Sequence, residues 1–90
     1  MGEEATVYGH VAGTYDLLTE EGRPTLLDFD WLFPLLTFNV VIWEADREAF
    51  PSPPESMYLE RELCVTGRIE LYDRKPAIVA KSPTQIRVIR

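Results

Sequence analysis

The sequence predicts an all-β domain: a single barrel of five strands closed on itself, with a short helix between strands three and four. Three observations predict it. Leu63, Val65, Gly67 and Ile69 alternate with Cys64, Thr66, Arg68 and Glu70, the two-residue period of a strand with one buried face. Residues 36–44 are dense in β-branched and aromatic side chains, the composition of a half-buried pleated surface. The chain has 90 residues, 46% hydrophobic and 27% charged, which is enough for one core and leaves no room for a second domain, so residues 1–90 are read as one unit.

The elements follow in order. In residues 5–18, Val7, Gly9, Val11 and Gly13 share one parity and Tyr8, His10, Ala12 and Thr14 the other. Two glycines inside a strand this long suit one that coils sharply, bulges and serves both halves of a small barrel. Glu20-Glu21-Gly22-Arg23-Pro24 is a hairpin loop, with glycine available for positive φ and proline setting the next strand's entry. The second strand runs from Thr25 to Asp30 with Leu27 and Phe29 inward, and Trp31-Leu32-Phe33-Pro34 is an apolar connection. On the third strand, Leu36 to Glu44, the core-facing residues are Phe38, Val40 and Ile42, which leaves Asn39, Val41 and Trp43 outside. Asp46 is placed to cap a short helix ending at Phe50, with Pro51, Pro53 and Pro54 stopping it. After the fourth strand, Asp73-Arg74-Lys75-Pro76 turns the chain, Ile78 and Ala80 continue the apolar face, and a β-like segment ends the sequence.

Charge is uneven. The formal net charge is −6, yet residues 1–45 carry eight acidic residues against Arg23 alone, and residues 46–90 carry eight basic against seven acidic. From Arg68 onward six basic residues face two acidic ones. An acidic total weakens non-specific attraction to phosphate backbones without forbidding a local basic groove. No apolar run approaches the ~20 residues of a membrane span, and the first residues lack a basic and then apolar leader, so a soluble, cytoplasmic protein without membrane contact is expected. Cys64 is the one cysteine and has no internal disulfide partner.

Catalytic chemistry has little to build on. One histidine, one cysteine, and no HxxxH, CxxC or glycine-rich phosphate loop leave no convergent nucleophile, metal or cofactor site. His10 lies on the polar parity of the first strand and reads as a solvated residue, and Cys64 as a small semi-buried hydrophobe. Asp28 and Asp30 share one face of a strand, where a solvated or salt-bridged pair is the plain reading and a paired-carboxylate site the sharper one. The expectation is a protein that is not an enzyme.

The pattern VTGxIxxYxxxPxIxxxxPxQIxVI over residues 65–89, preceded by PTLLDF (24–29), FNVVIW (38–43) and Asp46-Arg47-Glu48-Ala49-Phe50 in the same order, resembles bacterial OB-fold domains of the nucleic-acid-binding type. The resemblance spans almost the whole chain, and the blocks around VTG and PxQI are its specific part. It implies an OB-fold barrel plugged at one end by the helix, with Phe50 as the plug. It also implies single-stranded DNA or RNA laid across the outer face of strands two and three, bases on aromatic rings and phosphates on loop cations. The residues carried over to that role are Trp43 as the stacking platform, with Arg47, Arg68, Arg74 and Lys75 as the basic partners. The alternative is an acidic protein-interaction or homo-oligomer module whose Trp43, Val41, Trp31 and Phe33 form the interface. Aspartates at 28 and 30 favour a protein partner, whereas the basic run from Arg68 to Arg90 favours nucleic acid.

Overall fold

The computed structural model describes residues 3–17, 19–29, 38–72 and 74–90. Its strands are β1 (Glu4–Asp16), β2 (Thr25–Phe29), β3 (Phe38–Ile42), β4 (Glu62–Tyr72), β5 (Lys75–Val79) and β6 (Ile86–Val88). Between β3 and β4 lie a 3₁₀ helix, Glu44–Ala49, and the single-turn helix α1 (Pro54–Met57). Pairing runs β1-β2-β3-β5-β4 and returns from β4 to β1, so five strands close into a ring. All contacts in the ring are antiparallel except β3 with β5. This is a five-stranded OB-fold barrel with a short helical segment between its third and fourth strands. Closure removes the open edges that a sheet of this size would otherwise present. The short β6 lies outside the ring, paired with β4 through Leu63–Val88, Cys64–Arg87 and Val65–Ile86.

The length of β1 has a topological cause. Residues from Glu4 to His10 pair with β4, and residues from Val11 to Asp16 pair with β2, so one strand serves both sides of the seam. The register shifts between Val11 and Gly13. That bulge moves Gly13 and Tyr15 to the outward parity, opposite Asp28 and Leu26, and turns Thr14 toward the barrel end, where its hydroxyl donates to the Glu55 carbonyl at 2.8 Å. Gly9 sits where the core ring of Phe29 passes closest. A Cβ there would lie 2.6 Å from that ring, so no side chain fits.

The core is the inward parity of the barrel strands, with Val11, Leu27, Val40, Ile42, Leu63, Val65 and Ile78 removed from solvent and Val7 and Ile69 packed against them. Phe50 is buried and meets Tyr58 edge-on, ring centroids 6.3 Å apart, so the barrel end is closed by two aromatics, of which the sequence pointed to one. Burial raises the Tyr58 phenol's pKa.

The link between β3 and β4 departs from expectation in two ways. Asp46 does not cap: the helix begins at Glu44 and Asp46 lies within its first turn. Pro54 starts a second helix instead of ending the first, because at the first helical position its missing N–H has no partner to lose.

The outer face of β3 is also not open. Asn39 is 5% exposed and Val41 not at all, although both lie on the outward parity. Cross-strand register places Lys75 and Tyr72 below the level of Asn39, and Trp43 follows directly after β3 at its other end. On a flat sheet the two rings would lie roughly 20 Å apart along the strands. Instead the rings of Trp43 and Tyr72 are in contact, centroids 5.8 Å apart at 67°. The β4–β5 hairpin therefore coils back across the outer face, the strong right-handed twist of a small barrel carrying it there.

Candidate ligand cleft

The loop joining β1 and β2 approaches the same face from the opposite side. It is tied at several points: the Glu20 N–H donates to the Leu17 carbonyl (3.2 Å), the Arg23 N–H to the Glu20 carbonyl (3.0 Å), and the Glu44 N–H to the Gly22 carbonyl (3.2 Å). Arg23 pairs with Glu44 at 2.7 Å. Gly22 has φ +79°, and a Cβ on it would come within 2.9 Å of the Trp43 six-membered ring. Only glycine gives both that backbone conformation and that approach. Trp43 is thus held between the β1–β2 loop and Tyr72 of the hairpin, half-buried, and joins the two jaws of the barrel face.

Between these jaws lies a cleft of about 340 Å³ lined by Leu17, Glu20, Leu26 and Tyr72. Leu26 supplies the floor from the outward parity of β2, while Tyr15, half-exposed, stands beside it on β1. Deeper along β2, Asn39 Nδ2 donates to Asp28 Oδ1 across the β2–β3 pair. Burial raises the Asp28 carboxyl's pKa, while the nearby Lys75 and the Asn39 hydrogen bond hold it down in part. Lys75 therefore lies close enough to β2 to act electrostatically on its outward face.

Trp43, Arg74 and Lys75 are linked through Tyr72, which touches Trp43 and pairs in register with Lys75. Arg74 is exposed in the tight turn of that hairpin with φ +67°. Arg68 is exposed on the same outward parity of β4, four residues before Tyr72 and opposite Glu4 on β1. Arg47 lies apart from this group. Its guanidinium donates from Nη1 to Glu55 Oε1 at 2.9 Å, from Nη2 to Glu55 Oε2 at 3.3 Å, and from Nη1 to Thr25 Oγ1. Thr25 is fully buried on the inward parity, so Arg47 clamps α1 to the barrel end. The pairing depresses the Glu55 carboxyl's pKa and raises that of the guanidinium. Asp30, Trp31 and Phe33, named above for a paired-carboxylate site and an interface, lie outside the described residues.

On the far side of the barrel, His10 Nε2 is 3.3 Å from Glu60 Oε2, and the Tyr8 hydroxyl donates to Glu62 Oε1 at 2.6 Å, which raises the phenol's pKa. His10 therefore lies against a carboxylate rather than being simply solvated, and Cys64 is half-buried. Among the described residues no three His, Cys, Asp or Glu side chains converge as a metal site.

Tyr72, Leu17 and Glu20 were missed from sequence. The signal for Tyr72 was present, since it shares the outward parity of Arg68 and Glu70, but alternation says nothing of how far a hairpin tip bends over. Among the described residues no helix is long and apolar enough to cross a membrane. Compared with models of known protein families and with curated proteins, the chain matches none.

Proposed function

We propose that this domain is a non-catalytic OB-fold module that binds single-stranded nucleic acid on the outer face of β2 and β3, and holds it by stacking more than by charge. The observation that carries this reading is the cleft between the two loops, lined by Tyr72, whose ring in turn touches Trp43, with Arg74 and Lys75 on the hairpin tip beside it. OB-folds take oligonucleotides on this face and between these loops. Base stacking needs no net positive charge, so a chain of net charge −6 can bind a single strand provided aromatic rings supply most of the affinity. A bacterial, cytoplasmic setting goes with this reading, where a lone half-buried Cys64 stays reduced.

Titration with an oligonucleotide followed by tryptophan fluorescence tests it, with Trp31→Phe removing the second indole. Quenching at low salt is expected, and Trp43→Ala should weaken binding by about 1–3 kcal/mol, the worth of one base stacked on one ring. Arg68, Arg74 and Lys75 offer three cations for phosphates, so log K should fall with log salt at a slope no steeper than about −2. A protein partner is the second reading, favoured by the Glu20 and Asp28 carboxylates on the same face. The absence of quenching, together with concentration-dependent association that Trp43→Ala abolishes, would decide for it.

A further inference from the structure

Resting on the nucleic-acid reading above, we propose that the cleft receives one nucleobase and that Glu20 reads its edge, favouring guanine over thymine or uracil. At about 340 Å³ the cleft is at the small end of the ~300–1,000 Å³ usual for ligand sites, room for one nucleoside and not for a run of bases. Its walls sort by chemistry. Among the described residues that line it, Leu17, Leu26 and Tyr72 flank the space a planar heterocycle would take, and Glu20 is the one that carries charge.

The Glu20 carboxylate is both positioned and available. Hydrogen bonds of its own N–H and carbonyl, to Leu17 and Arg23, fix the backbone it stands on. The nearest cation in sequence, Arg23, is turned away to Glu44. A carboxylate on a polyanion's path would repel phosphate, but Arg74 and Lys75 at the hairpin tip stand ready for the phosphates, and Glu20 lines the wall where a base edge would lie.

An ionised carboxylate only accepts hydrogen bonds, so it selects for donors. Guanine presents N1–H and the N2 amino group side by side, two donors spaced for two oxygens. Cytosine and adenine present one amino group next to an acceptor nitrogen. Thymine and uracil present a single N–H between two carbonyls, which a carboxylate repels. Glutamate and aspartate read base edges by this acceptor logic elsewhere, a good pair discriminating by roughly five- to 150-fold.

The test is fluorescence anisotropy with a labelled thymidine octamer and with octamers carrying one central dG, dC, dA or inosine. The wild-type protein should bind the single-dG octamer about tenfold more tightly than the all-thymidine one, with inosine, which lacks the N2 amino group, in between. Glu20→Gln, in an exposed loop where the fold does not depend on it, should bind both octamers equally to within about twofold. Equal wild-type affinity for all octamers, or a guanine preference that survives in Glu20→Gln, overturns the assignment while leaving single-strand binding in place. No binding of any octamer overturns both, and capture of an arginine-rich peptide in its place would assign the carboxylate to a protein partner.

Discussion

Replacing Arg47 with Ala should lower stability and leave ligand binding unchanged, the reverse of what its place after the third strand suggested. The guanidinium makes two hydrogen bonds to Glu55 and one to the buried Thr25 hydroxyl, and the Arg47 and Glu55 side chains are only 25% and 28% exposed. Hydrogen bonds to charged groups contribute roughly 1.5–3 kcal/mol when buried, and exposed ion pairs roughly 0.2–1. A clamp of intermediate burial, whose loss also strips the arginine stem from the barrel end, should therefore contribute about 2 kcal/mol. For a domain of this size that lowers the midpoint of thermal unfolding by about 10 °C. Thermal and urea unfolding of Arg47→Ala, Glu55→Gln and the double variant measure it, and the cycle should show coupling of about 1 kcal/mol. The pH dependence has a definite sign. Arg47 holds the folded-state Glu55 carboxyl below its unfolded value, so the clamp's contribution is fully present above pH ~4.3 and is lost as pH falls through the folded value. The gap between wild type and Arg47→Ala should therefore narrow in acid. An Arg47→Ala protein within 0.5 kcal/mol of wild type, on the order of an unremarkable surface substitution, or one of normal stability that no longer binds, would refute the reasoning.

Two further substitutions probe the frame that positions the cleft. Gly9→Ala drives a methyl group to 2.6 Å from Phe29, whose ring is itself packed on Phe38 at 5.7 Å, and should cost about 1–3 kcal/mol in urea unfolding; an unchanged midpoint would mean the β1 approach is looser than described. Gly22→Ala meets both a left-handed backbone, unfavourable by about 1–2 kcal/mol, and the Trp43 ring. In a Trp31→Phe background it should shift the Trp43 emission as the loop leaves the indole, and an unaltered spectrum with unaltered stability would count against a pinned loop.

The barrel was legible because two-residue alternation states directly which side chains turn inward. Leu27, Phe29, Phe38, Val40, Ile42, Val65 and Ile78 all lie where that parity puts them. Parity names a face, however, and not what stands over it. Val41 and Asn39 are on the outward face as expected and are buried all the same, since the coiling that brings Tyr72 to Trp43 is a property of the closed ring and of no local segment. The position of Arg47 was readable but its partner was not, because Glu55 comes back to it only when the proline-rich segment folds and Pro54 opens α1. The cleft itself is assembled from the end of β1, its loop, β2 and the tip of β4, four places with no common periodicity.

The most direct test of the account is a map of backbone amide shifts by NMR as a single-stranded octamer is added. Binding on the outer face predicts shifts at Leu17, Glu20, Gly22, Leu26, Trp43, Tyr72, Arg74 and Lys75, with Arg47, Glu55 and the Tyr8–Glu62 side of the barrel undisturbed. Shifts centred on Tyr8, His10 and Glu62, or none at any site while the protein remains folded, would contradict it.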